Sequence, residues 1–258
     1  MPSQSLLTAT LCVVAGTLQA ADLRIETRVY QADSDQPFRE SVTLFSDGVV
    51  YDFRPDESRT TIFRPGAGEK PGRFVLLDTA RKVRTEIDAD RVASAVDKLR
   101  DWASQQDDPF LNFTADPHFE ERFDAETGDL RLVSDELSYR LVTIPTDHDD
   151  MRLPVRRFLD QFARLETLLD AGLPPEPRLR VNEALFRHKA MPVEVHVVRG
   201  PIGEDGGSEP DLWADHLTAW VLSKDDRRRI DDAIDRMASF EEVTNEAFQQ
   251  GRTQTTSK

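Results

Sequence analysis

Between Asp22 and Ile87 the apolar residues recur at every second position. Leu23, Ile25, Thr27 and Val29 alternate with Arg24, Glu26, Arg28 and Tyr30, which puts the first set on one face of a strand and the charged set on the other. Residues 42–45 and 49–53 read as two further strands. Ser46-Asp47-Gly48 between them supplies the positive-φ positions of a tight hairpin. Residues 60–63, 74–77 and 83–87 continue the series, and connections this short force antiparallel neighbours.

The period then lengthens. Val92, Val96, Leu99 and Trp102 or Ala103 recur at helical spacing, Asp88 or Asp90 caps the start, and Asp108-Pro109 ends the segment. This predicts a helix lying on the sheet. Strands are expected again over 119–123, 130–133 and 137–144, the first pair turning at Glu126-Thr127-Gly128-Asp129. Pro154, placed in a first helical turn, opens the most amphipathic segment, in which Val155, Phe158, Leu159, Phe162, Leu165, Leu168 and Leu169 form one stripe. A short helix over 181–187 leads to strands over 192–199 and 217–222. Ser223-Lys224-Asp225-Asp226 has the form of a capping box with Asp in place of Glu, and it opens a last helix. The fold class is α+β, an antiparallel meander sheet with covering helices.

One segment breaks the charged character of the chain. Residues 1–20 contain no Asp, Glu, Lys or Arg, whereas 31% of the whole sequence is charged. The apolar stretch from Leu6 to Leu18 has the length of a secretory core and is shorter than the ~20 residues a membrane span requires. Cleavage is expected between Ala20 and Ala21, where small side chains fit the peptidase. The mature chain is then periplasmic or secreted and has no transmembrane segment. The expected organisation is a signal peptide over 1–20, a sheet domain with covering helices over 21–222, a C-terminal helix over 223–250 and a polar tail over 251–258.

Composition narrows the chemistry. The single cysteine, Cys12, falls inside the leader, so disulfides, thiolate metal ligands and a thiol nucleophile are excluded from the mature chain. A formal charge of −15, from 48 carboxylates against 33 basic groups, opposes nucleic acid and anionic surfaces. Arg227, Arg228 and Arg229 are flanked by Asp225, Asp226, Asp231 and Asp232, which reads as a salt-bridged helix face.

The opening strand over 23–30, the hairpin Phe45-Ser46-Asp47-Gly48-Val49-Val50-Tyr51-Asp52-Phe53 and the late strand Pro192-Val193-Glu194-Val195-His196-Val197, together with the leader and the long amphipathic helix, resemble the periplasmic lipoprotein-carrier superfamily. The resemblance covers roughly residues 22–222. It implies a strongly curved, half-barrel-like antiparallel sheet, helices packed on its concave face, and an apolar space between them that holds acyl chains. That family has no sharply defined catalytic motif, so no functional residue is carried over.

Local motifs for catalysis are missing: no Gly-x-Ser-x-Gly elbow, His-Glu-x-x-His helix, phosphate loop or dinucleotide fingerprint occurs. Asp147-His148-Asp149-Asp150 is dense in oxygen ligands, but it lacks the glycine of a calcium loop and reads as a solvated loop preceding a helix. The acidic, glycine-rich segment 203–209 carries no cation for phosphate. Glu194 and His196 share a strand face, and His216 begins a strand that can pair with theirs, so the three are a candidate zinc set; alternating Glu and His also describe an ordinary wet sheet face, which is the favoured reading, and no metal is expected. His118 and His188 show no partner in the sequence. No cofactor is expected. The leading expectation is an exported, non-enzymatic protein that binds an apolar or lipid-like ligand between sheet and helices. A structural or protein-interaction module of the cell envelope, meeting an envelope protein partner, is the alternative, and a metal-assisted hydrolase the second.

Overall fold

Alternation in the strands and one-sided apolar stripes in the helices resolve into a mixed α/β fold. The computed structural model describes residues 22–32, 34–67, 72–202 and 210–255. Its strands are β1 (Leu23–Gln31), β2 (Arg39–Ser46), β3 (Val49–Arg54), β4 (Arg59–Arg64), β5 (Arg73–Asp78), β6 (Val83–Asp88), β7 (Glu120–Asp124), β8 (Asp129–Val133), β9 (Leu137–Pro145), β10 (Ala190–Arg199), β11 (Leu212–Ala219) and β12 (Glu241–Glu242). The helices are α1 (Ala89–Ala103), α2 (Pro109–Ala115), α3 (Asp149–Leu169), α4 (Glu176–Arg187), α5 (Lys224–Ser239) and α6 (Asn245–Thr255).

All 12 strands belong to one sheet, in the order β12-β6-β5-β4-β3-β2-β1-β11-β10-β9-β8-β7. Every pairing is antiparallel except the short β12–β6 contact, which is parallel. Among the described residues the sheet does not close into a barrel, because β12 and β7 remain its two edges. The meander over β2 to β6 follows the predicted hairpins. Asp47 (φ 50°) and Gly48 (φ 74°) form the β2–β3 turn as expected. The first strand sits inside the sheet, where Thr27 of β1 lies opposite Ser41 of β2 on one side and His216 of β11 on the other.

Pleating sends alternate residues to opposite faces, and both are buried in the β2–β5 region. One face carries Leu23, Ile25, Phe45, Phe63, Phe74 and Leu76 against Val155, Phe158 and Leu165 of α3 and Val92 of α1. The other carries Leu44, Tyr51, Ile62, Val75 and Leu77 against Ile230 and Ala233 of α5. This explains the near-continuous burial of β3, β4 and β5. A third cluster joins Leu130, Leu132 and Leu141 to Val181, Ala184 and Leu185 of α4. Each fully buried Leu or Phe contributes roughly 1.5–3 kcal/mol.

Several expectations need correction. Asp108-Pro109 does not merely stop a helix: Asp108 accepts from the amides of Phe110 and Leu111 and starts α2, with Pro109 in its first turn. Helix α3 begins at Asp149, so Pro154 lies inside it. A proline there removes the bond to the Asp150 carbonyl and crowds that carbonyl with its ring, a cost that the packing of the long helix has to offset. Strand β11 spans Leu212–Ala219, five residues ahead of the predicted start; its alternation of Trp213, Asp215 and Leu217 with Ala214, His216 and Thr218 is too polar to stand out as a buried strand.

The chain after 222 is more than one helix with a polar tail. The capping box forms as read, Ser223 Oγ accepting from the Asp226 amide and Asp226 accepting from the Ser223 amide. Beyond α5, however, β12 joins the sheet and α6 follows, with Phe248 buried to 1% exposure in the principal core. Helix α5, β12 and α6 thus all contact the sheet, at β5 and β6. The leader, with Ala20 and Ala21, and segment 203–209 lie outside the described residues.

Candidate functional site

The face of the sheet under α3 and α4 is not filled everywhere. A cavity of about 420 Å³ lies between β3, β2, β1, β11 and β10 on one side and α3 and α4 on the other. Its two walls differ in kind. The helical wall is largely apolar, with Phe158, Leu159 and Phe162 from α3 and Val181 and Leu185 from α4. The sheet wall is largely polar, because Thr27, Ser41, Thr43, Asp52, Arg54 and His216 stand at the inward positions of their strands.

Strand register explains that polar wall. Asp52 lies opposite Thr43, which lies opposite Ile25, which lies opposite Thr218. On the next inward row, Ser41, Thr27 and His216 stand side by side. Two short contacts tie these groups together: Thr43 Oγ1 donates to Asp52 Oδ1 at 2.8 Å, and Thr27 Oγ1 lies 2.9 Å from His216 Nδ1. The second Asp52 oxygen has no hydrogen bond and sits 3.4 Å from Arg54 Nε. Burial pushes the Asp52 carboxyl up, against the pull of Arg54 and of the Thr43 hydroxyl.

At one end of the cavity a network of charges bridges sheet and helix. Glu166 of α3 reaches Arg54 Nη1 at 2.5 Å and Arg59 Nη2 at 3.0 Å, and Glu57 contacts both arginines. Arg39 joins through Glu57 and Asp170. The Arg54 guanidinium also stacks over the Phe162 ring, 5.2 Å from its centroid.

His216 has a different setting. Its accessible atoms face the cavity, and the ring is enclosed enough that desolvation, followed by the charge of Arg178 on α4, lowers its pKa to about 4. It is a neutral imidazole at pH 7. It touches no carboxylate among the described residues, so Thr27 and His216 lack the third, orienting group of a nucleophilic triad. The pair can donate to and accept from a ligand.

The candidate zinc set is not brought together. Glu194 and His196 lie on the face that α3 leaves untouched, His196 Nε2 being 3.3 Å from Glu194 Oε2, while His216 points to the cavity on the opposite face. Strands β10 and β11 do pair as expected, but Glu194 faces Asp215 and His196 faces Trp213, so parity sends His216 the other way. Among the described residues no group of three or more His, Cys, Asp or Glu could hold a metal ion. His188 does have partners, Glu121 Oε1 at 2.7 Å and the Phe123 ring at 4.1 Å. His118 is exposed and contacts only the Asp116 region.

The remaining candidates are structural. His148 stacks on Trp220 at 3.7 Å and Asp149 pairs with Arg152 at 2.9 Å, so this acidic loop starts α3. Arg227 pairs with Asp22 at 2.6 Å and Arg228 with Asp225 at 3.4 Å, as a salt-bridged face requires. No described helix is long and apolar enough to cross a membrane. The chain matches no protein-family model, and a search of curated proteins finds no match to it.

Asp52, Arg54, Glu166 and Arg178 escaped the sequence reading. The available signal was an Asp and an Arg at alternate positions of a strand otherwise apolar on both faces, Val49 to Arg54, where a charge has no wet side to occupy.

Proposed function

We propose that this chain is an exported, non-enzymatic binding protein that holds an apolar, lipid-like ligand between its sheet and helices α3 and α4, as the lipoprotein-carrier resemblance implies. The observation that carries this reading is the 420 Å³ cavity with its wall of Phe158, Leu159, Phe162, Val181 and Leu185. Pockets of that size and lining are ordinary sites for small amphipathic molecules. On this reading the sheet curves as a half barrel, and α3 and α4 lie on its concave side. The leader is removed between Ala20 and Ala21, and the protein works in the periplasm or outside the cell.

Native mass spectrometry of protein taken from the envelope fraction, with lipid extraction, tests both parts. The expected species begins at Ala21 and carries extractable lipid. A chain still beginning at Met1, or lipid-modified at Cys12, overturns export by cleavage. An apolar fluorescent probe should bind equally well at low and high ionic strength, because apolar burial is insensitive to screening. A protein that purifies without lipid and binds no such probe is better read as an envelope interaction module.

A further inference from the structure

One of the charged side chains around the cavity is left without a partner among the described residues. Arg39, Arg54 and Arg59 are each ion-paired to Glu57, Glu166, Asp52 or Asp170. Arg178, in the first turns of α4, lines the same cavity and is exposed, yet it makes no ion pair or hydrogen bond among the described residues. Facing it across the cavity is His216, a neutral ring held by Thr27. A rim cation without a partner, beside a ring able to donate a hydrogen bond and above an apolar wall, is the lining an anionic head and its tail require.

We infer that the ligand is a single-chain amphiphile with an anionic head, its tail against Phe158, Phe162 and Leu185 and its head at the rim between Arg178 and His216. This rests on the lipid-binding reading of the cavity and adds the head-group chemistry to it. A neutral lipid would leave Arg178 as it is. A cationic one would meet Arg178 as a like charge, and the carboxylates that could receive it are engaged, Glu166 by Arg54 and Arg59 and Asp52 by Arg54 and Thr43.

The experiment uses the purified, delipidated protein and three probes of equal chain length, laurate, dodecanol and dodecyltrimethylammonium, each below its critical micelle concentration. Competition against a bound apolar dye reads affinity. Laurate should bind about tenfold tighter than dodecanol, the scale of one charge-assisted hydrogen bond, and the ammonium probe weakest. Arg178→Gln, at an exposed position without ion-pair partners, should abolish the laurate preference, so that laurate and dodecanol bind this variant alike. NMR titration of His216 gives an independent reading: laurate should raise its pKa by placing a negative charge beside it, and dodecanol should not. Arg178 of α4, Glu166 of α3 and Asp52 and Arg54 of β3 share that cavity, so the shift is compared between wild type and Arg178→Gln. Equal affinity for laurate and dodecanol overturns the anionic head and leaves the lipid-binding reading standing. Failure of all three probes to displace the dye, or of the dye to bind, overturns that reading too.

Discussion

Glu166 on α3 and Arg54 on β3 form the shortest ion pair between helix and sheet among the described residues, at 2.5 Å, with Arg54 only 6% exposed. It anchors one end of the long helix to the strand that walls the cavity. Since Arg54 is almost dry, removing its partner leaves a cation that water cannot reach.

Glu166→Gln should therefore destabilise the protein by about 3 kcal/mol, the lower end for breaking a buried pair, because Asp52 and Glu57 still face Arg54. Urea denaturation at neutral pH measures it. A midpoint within error of wild type would show that Asp52 and Glu57 suffice to hold the arginines.

Stability should fall on acidification because of His216. Its folded pKa of about 4 is below the ordinary 6.5, so the unfolded chain binds more protons between these values and folding weakens as pH drops through that window. The loss is on the order of 3 kcal/mol by pH 4. Carboxylates titrate at the lower end of the range, so His216→Gln is the control: it should flatten the decline between pH 6.5 and 5, and an unchanged slope there would refute the assignment.

Two phenylalanines one helical turn apart on α3 should differ. Phe158 is 2% exposed and packs on Phe45, Phe63 and Phe162, whereas Phe162 is half-buried and borders the cavity. Phe158→Ala should cost about 3–5 kcal/mol. Phe162→Ala should cost clearly less, about 1–2 kcal/mol, because its lost contacts are partly with open space already. Denaturant midpoints of the two variants compare them directly.

Gly128 should tolerate no side chain. It has φ 74°, and a methyl group there would lie 2.2 Å from the Thr143 carbonyl oxygen. Gly48 has the same φ with nothing near it. Gly48→Ala then carries only backbone strain, about 1–2 kcal/mol, while Gly128→Ala adds a backbone collision and should cost more. Thermal melts of both variants rank them.

How far such features could be read in the sequence depended on whether they were local. The alternation of β1, the Asp47-Gly48 turn and the Ser223–Asp226 capping box involve neighbours in the chain, and each appears where the pattern placed it. Helix α2 was hidden because Asp108-Pro109 serves equally to end one helix and begin the next. The lining of the cavity on its sheet side was invisible for a different reason. That polar wall exists only when Thr27 meets His216, 189 residues away, and no local pattern reports which distant strand becomes a neighbour. The candidate trio around His216 failed on the same point, since strand parity depends on register.

The position of β1 has a kinetic consequence. Strands β2 to β6 can zip as successive hairpins, each closing a short loop, but the far edge of β1 stays bare until β11 arrives from the other end of the chain. Closing so long a loop costs entropy before any contact rewards it. The β1–β11 seam is thus the step at which two separately organised halves become one molecule, and its residues should give low φ-values while the β2–β5 hairpins give high ones. Ser41 and Thr27 reach the binding wall from one half and His216 from the other. A ligand can engage the site only after that seam has closed, and by mass action its binding then keeps the seam shut.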